Sequence, residues 1–256
     1  MKNIDEMKKS IFSIVLRTVE NKIIHLGTGF FIGKDGIFFT VGHVFRKVEE
    51  EIIKNSYENI FISFPSNESV LYTIIDIWYE SKDVYDQRGP TYKDTAVGKS
   101  VYKNDEYLIL NRKRPKLKED LVLYGYHNIG QDIYHEINNN DRVNLSNVVF
   151  NQIPMTVEAY DSLISFFPID YKLSKEKVSK RKILNNCLKL DKKAIIGESG
   201  SPIIDSLGLV SGILIGSIKD FNTSDMILSK YCTKIIKYRT KHKINIYKDL
   251  EYRLKM

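Results

Sequence analysis

The sequence predicts an all-β protein, a sandwich or a barrel with few helices, and three observations point there. First, short apolar, β-branched and aromatic runs recur between turn signals every 8–12 residues or so, the spacing that marks such folds. The clearest are Ile11-Phe12-Ser13-Ile14-Val15-Leu16, Gly29-Phe30-Phe31-Ile32, Gly36-Ile37-Phe38-Phe39-Thr40, Ile60-Phe61-Ile62-Ser63-Phe64, Tyr107-Leu108-Ile109-Leu110 and Leu121-Val122-Leu123-Tyr124. Second, Lys34-Asp35-Gly36 between Ile32 and Ile37 reads as a tight hairpin, because Asp-Gly accepts positive φ. Third, helical patterning is confined to residues 2–9, 45–54 and about 224–238. The stretch 138–192 alternates strand-like pieces, Val148-Val149-Phe150 and Leu163 to Phe167, with a basic segment at 172–182 that reads as a long loop.

Composition bounds the function classes. Of 256 residues, 43% are apolar and 28% charged, near globular averages, so general disorder is excluded. No apolar run approaches the roughly 18 residues of a membrane-spanning helix, and no membrane association is expected. Two cysteines, Cys187 and Cys232, cannot make a disulfide framework and fit a reducing compartment. Asp5 and Glu6 interrupt the start of the chain, and no apolar core ends in a cleavage site, so a cytoplasmic protein is expected. Lys and Arg number 39 against 32 Asp and Glu, a net charge of +7. Basic clusters at Arg112-Lys113-Arg114, Lys172 to Lys182 and Lys237 to Lys243 raise nucleic-acid binding. Phosphate binding needs them on one face with aromatics interleaved, and nothing in the sequence gathers them, so nucleic acid is not an expected partner.

Three segments carry chemistry. Gly27-Thr28-Gly29-Phe30-Phe31-Ile32 and Phe38-Phe39-Thr40-Val41-Gly42-His43-Val44 bracket the hairpin and end on a histidine at a small-residue corner. Lys93-Asp94-Thr95-Ala96-Val97 follows. Last comes Gly197-Glu198-Ser199-Gly200-Ser201-Pro202-Ile203-Ile204, a loop with glycine on both sides of a serine. Those glycines permit backbone shapes in which amide groups point into a shared cavity. A serine hydroxyl becomes a nucleophile when a base removes its proton and an acid orients the base. His43 and Asp94 can fill those roles, although Asp76, Asp83 and Asp86 lie close upstream of Asp94. The order His43, Asp94, Ser199 is one of the known orders of such triads. His25, His127, His135 and His242 have no comparable surroundings and read as structural or surface residues.

These segments resemble the trypsin-like, chymotrypsin-fold serine peptidases, particularly the bacterial branch of glutamyl endopeptidases and HtrA-type proteases. Residues 27–44 resemble the family's Gly-x-Gly-Phe … Thr-Ala-Gly-His-Val, with Val41 in place of alanine. Asp94-Thr95-Ala96-Val97 resembles Asp-Ile-Ala-Val. Residues 197–202 resemble Gly-Asp-Ser-Gly-Gly-Pro, with Glu198 for aspartate and Ser201 for glycine. The resemblance covers about residues 10–237. It implies two antiparallel six-stranded β-barrels, about 10–115 and 118–222, followed by a C-terminal helix and tail over about 223–256, all in a single peptidase domain. His43 and Asp94 would come from the first barrel and Ser199 from the second, and the amides of Gly197 and Ser199 would form an oxyanion hole. No cofactor or metal is implied.

By family position, Lys193 and Ala194 lie near the base of the primary pocket. The strand holding Ile213, Leu214, Ile215 and Gly216 would run along the substrate backbone. A cation at the pocket base would favour an acidic residue before the cut. In animal trypsins the residue matching Glu198 pairs with a new amino terminus after cleavage; here no cleavage segment precedes the first strand, so that ion pair is not expected to serve activation. The reading is an intracellular serine endopeptidase with protein or peptide substrates, kept in check by an activating partner, an oligomer or a distorted site. The alternatives are a catalytically silent or latent scaffold of the same fold and a basic nucleic-acid-binding barrel.

Overall fold

The computed structural model of the chain describes residues 3–18, 22–42, 44–45, 60–81, 85–86, 89–90, 94–111, 113–129, 135–138, 142–161, 187–192, 194–218 and 223–228. Within these, only the backbone is described at 78–81, 85–86, 89–90, 94–95, 135–138, 159–161, 187, 189, 216–218 and 223–228. The chain opens on helix α1, Ile4–Ser10, capped by a reciprocal pair: the Glu6 amide donates to Asn3 Oδ1 at 2.9 Å, and the Asn3 amide donates to Glu6 Oε2 at 3.0 Å. It stops where the β-branched run from Ile11 takes over.

Strands follow in order: β1 Ile11–Arg17, β2 Lys22–Phe31, β3 Ile37–Thr40, β4 Ile60–Ser63, β5 Ser69–Val70, β6 Tyr72–Ser81, β7 Tyr85–Asp86, β8 Gly89–Pro90 and β9 Asp94–Ser100. The second half adds β10 Asp120–Asn128, β11 His135–Asn138, β12 Arg142–Val143, β13 Val148–Asp161, β14 Cys187–Leu190, β15 Pro202–Ile204, β16 Val210–Ile218 and β17 Thr223–Leu228. In the first half, β1-β4-β6-β9-β3-β2 pair in that order and β2 pairs back onto β1, closing a ring of six antiparallel strands. The short strands β11, β12 and β5 extend that sheet from β2. The second half closes a barrel in the order β10-β13-β14-β17-β16-β15, also antiparallel throughout.

The hairpin expected at Lys34-Asp35-Gly36 is present, with φ of 61° at Asp35 and 78° at Gly36. Two expectations are corrected. Residues 223–228, where the C-terminal helix was to begin, form β17, paired with β14 on one side and β16 on the other, so the second barrel extends past 222. Apolar spacing there imitates a helix, but an open barrel edge needs a strand to satisfy its backbone groups, and pairing overrides local preference. The rest of that helix, residues 229–256, lies outside the described residues, as do most of the helix expected at 45–54 and the pieces at 163–167 and 172–182. Tyr107-Leu108-Ile109-Leu110 is not a strand but part of the connection between barrels. It is pinned by Leu108 N to Phe31 O (2.8 Å) and by Val210 N to Ile109 O (2.8 Å).

Phenylalanine fills the first barrel. Phe12, Phe30, Phe31, Phe38 and Phe39 are fully buried. The Phe12 ring lies 4.7 Å from that of Phe31 and 5.3 Å, edge-on, from that of Phe38. Gly29 and Gly98 leave room for these rings, because a Cβ on either would overlap Phe12 or Phe38. The first half of β2 alternates buried and half-buried positions, while 27–31 are buried throughout. Its first half faces water on one side; its second half is covered on both. Phe12→Ala is expected to cost about 3–5 kcal/mol of stability by denaturant unfolding, from lost transfer energy and the cavity left behind. A loss below about 1 kcal/mol would contradict this packing.

Candidate active site

The Ser199 loop is built from two successive turns that share Glu198. The Glu198 amide donates to Ile195 O at 3.1 Å, and the Ser201 amide donates to Glu198 O at 2.9 Å. The third residue of each turn is a glycine at positive φ, Gly197 at 100° and Gly200 at 90°, while Ile196 and Ser199 are not at positive φ. Both are therefore type II turns, in which that place favours glycine. Ser199 occupies the corner of the second turn, half-exposed. Among the described residues, neither the amide of Gly197 nor that of Ser199 donates a hydrogen bond.

The first barrel grips this loop through Thr28. Its amide donates to Ser199 O at 2.8 Å, its hydroxyl lies 3.2 Å from Gly197 O and 3.3 Å from Tyr126 O, and the Tyr126 amide donates back to that hydroxyl at 2.9 Å. Thr28 O in turn accepts the Thr40 hydroxyl at 2.6 Å. A Cβ on Gly200 would overlap Thr28 O and Thr40 Oγ1, and one on Gly27 would sit 2.8 Å from Ser199 O and 2.7 Å from Val44 Cγ2. Gly27 and Gly200 thus allow two backbones to touch. Ser199 O and the side chain of Val44, the residue after His43, press on the same glycine.

His43 itself and Lys193 lie outside the described residues. Asp94 begins β9, opposite Ser81, and only its backbone is described. Strand β3 ends at Thr40 opposite Ala96, and Asp94 lies two residues further along β9, on the side where the chain continues to Gly42. Ala194 is buried. Ile213 and Leu214 send their side chains into the two hydrophobic cores. The Leu214 backbone is engaged by the Gly200 and Ser201 segment, Gly200 N to Leu214 O at 2.8 Å and Leu214 N to Ser201 O at 2.9 Å. Ile215 is also buried, and the β16–β17 register shifts between Leu214 and Gly216. These three side chains are therefore turned away from any substrate strand, and the Leu214 amide and carbonyl are already bonded within the barrel.

Two histidines that the sequence marked as structural or surface lie under the loop. A Cβ on Gly197 would stand 2.8–2.9 Å from the His25 ring and 3.2 Å from the His127 Cα. His25 Nε2 donates to Gly27 O at 2.8 Å. Burial lowers His25 to about 4, against pulls in the other direction from the Gly27 carbonyl and the Asn128 side chain. Among the described residues His25 Nδ1 makes no hydrogen bond. Glu198 is fully buried. Its Oε1 accepts from Asn151 Nδ2 and its Oε2 from the Ile195 amide, both at 2.7 Å, and His127 Nδ1 stands 3.9 Å away. Burial raises the carboxyl, opposed by the two hydrogen bonds and by His127. A histidine on an apolar strand two residues before Gly27 was the available signal for His25; Asn151 carried none.

Because folded His25 binds its proton only near 4 while the unfolded chain binds at 6.5, the unfolded state holds more protons between those values. The stability His25 contributes is complete above about 6.5 and is lost as pH falls toward 4, by up to about 3 kcal/mol. Urea midpoints measured across that window are expected to fall less steeply for His25→Gln. Equal slopes for both proteins would contradict a buried neutral imidazole. Glu198 titrates in the opposite sense but is common to both proteins, so the difference reports His25.

No protein-family model matches the chain, and no curated protein sequence does. Solved structures do. The Rv3671c protease of M. tuberculosis in an inactive form is 17% identical with a TM-score of 0.56, covering 91% of this chain and 91% of that chain. Its active form is 16% identical with a TM-score of 0.53, covering 90% and 81%. Neuropsin, a serine protease of mouse brain, is 10% identical with a TM-score of 0.58, covering 93% and 97%. A mycobacterial and a mammalian protease match alike, which speaks for their shared architecture and not for the glutamyl endopeptidase or HtrA-type branch. At these identities the likeness concerns the fold: the chain has the chymotrypsin fold of the trypsin-like serine proteases.

Proposed function

We propose that the chain is a serine endopeptidase that cleaves protein or peptide substrates through His43, Asp94 and Ser199. The observation that carries this reading is the Ser199 loop. Two glycine-dependent turns leave the amides of Gly197 and Ser199 without partners among the described residues, beside a half-exposed serine. Paired free donors next to a nucleophile are what a developing oxyanion requires.

In the proposed reaction Ser199 Oγ bonds to the substrate carbonyl carbon while His43 takes the hydroxyl proton. The tetrahedral oxyanion rests on the Gly197 and Ser199 amides. His43 then gives the proton to the departing amine as the C–N bond breaks, leaving an acyl ester on Ser199. Water, deprotonated by His43, releases the acid and restores the serine. Asp94 orients the imidazole and stabilises its cation. The low cysteine content supports a cytoplasmic setting, where an activating partner or restricted access would restrain the enzyme. A preference for an acidic residue before the cut would follow if Lys193 takes the pocket-base position that the family resemblance implies.

A fluorophosphonate probe is expected to label the protein at Ser199, with labelling abolished in Ser199→Ala and in His43→Ala. A well-folded protein that stays unlabelled would favour a silent scaffold. Gly197→Ala forces a side chain into a positive-φ site against the His25 ring and disturbs one oxyanion donor, so its labelling rate is expected to fall about 100-fold or more. Labelling of that variant at the parental rate would remove Gly197 from the proposed machinery.

A further inference from the structure

Glu198 is the hinge of both turns, and its carboxylate is the part of the loop that reaches inward. Oε2 is used locally, on the Ile195 amide, which closes a ring with the Glu198 N–H to Ile195 O bond. Oε1 reaches across to strand β13, to Asn151. The orientation of that amide is settled by its surroundings. Asn151 Oδ1 accepts the Gln152 amide at 2.9 Å, which leaves Nδ2 to face Glu198 at 2.7 Å. Asn151 is held in turn by the β10–β13 ladder, opposite Gly125, where β10 lies so close that a Cβ would overlap Ser201 Oγ.

A buried carboxylate stripped of a donor is costly, and the cost is relieved by taking up a proton or by moving the group toward water. Moving Glu198 means unwinding both turns, and with them the amides of 197 and 199. His127 Nδ1, at 3.9 Å, makes no hydrogen bond and does not replace Asn151.

We propose that Asn151 is the positioning residue for the Ser199 loop: by holding the buried Glu198 carboxylate, a neutral amide from within the barrel keeps the two turns wound and the oxyanion donors free. The proposal rests on the peptidase reading for its catalytic meaning.

The test uses the full chain and two readouts, the rate of fluorophosphonate labelling at Ser199 and amide hydrogen exchange over residues 195–201. Asn151→Ala, folded by circular dichroism, is expected to label at least about tenfold more slowly and to exchange those amides faster. Asn151→Asp sets two carboxyls side by side, which share a proton at low pH and repel once both ionise, so its labelling is expected to fall further below the parental rate as pH rises. Adding Glu198→Gln to Asn151→Asp reverses donor and acceptor and is expected to restore most of the rate, a coupling that a loss of general packing would not produce. Parental labelling and exchange in Asn151→Ala, or no rescue in the double variant, would overturn the proposal. If the parent protein itself fails to label, the peptidase reading falls, and exchange at 195–201 in Asn151→Ala still decides whether Asn151 holds the loop.

Discussion

The arrangement depends on backbone meeting backbone where the two barrels join. Thr28 donates its amide to Ser199 O, and its hydroxyl bridges toward Gly197 O and Tyr126. Gly27 and Gly200 remove the side chains that would otherwise hold the segments apart. A hydrogen bond between main chains needs an approach that a Cβ at either glycine would prevent. That requirement places residues 27–28 of the first barrel and 197–201 of the second in one register, and the position of the serine follows from it.

Around this seam the two barrels contribute different things. The first supplies rigidity: buried phenylalanines pack in two groups, Phe12 with Phe31 and Phe38, and Phe30 with Phe39, and hold β2 against β3 around Thr28 and Thr40. The second supplies the loop with Glu198 and, beneath it, His127 and Asn151, while His25 comes from β2 of the first. His25 stays neutral because burial outweighs its hydrogen bond to Gly27, while the Glu198 carboxyl is raised by burial and steadied by Asn151 and Ile195. The floor of the site thus includes His25 and Glu198, both shifted chiefly by burial, and Asn151, whose position is set by strand pairing. Asp205 plays a similar structural role where the barrels are linked, accepting from the Leu207 and Leu209 amides, the Ser211 hydroxyl and Asn111 Nδ2.

Much of this was legible before any coordinates, and the division has a physical basis. The strands and the Asp35-Gly36 hairpin follow from side-chain period and backbone permissiveness, which are local. The loop Gly197-Glu198-Ser199-Gly200 stood out for the same reason, because glycines around a serine permit unusual backbone shapes, while its two type II turns came only with the structure. Asn151 was not, since its value lies in a hydrogen bond to a residue far along the chain, set by the β10–β13 register. The strand at 223–228 was misread as helix because its apolar spacing suits either form, and the open edges of β14 and β16 decide. His25 fell between the two cases: its place on an apolar strand was visible, its position under Gly197 was not.

The proposed reacting centre joins the Ser199 hydroxyl with the amides of Gly197 and Ser199. The most direct measurement is a crystal structure of the protein after reaction with a small organophosphonate. Expected is a bond from Ser199 Oγ to phosphorus, with the phosphoryl oxygen about 2.7–3.1 Å from both amide nitrogens and the His43 ring within hydrogen-bonding reach of Oγ. An adduct on another residue, or a phosphoryl oxygen turned away from both amides, would contradict it.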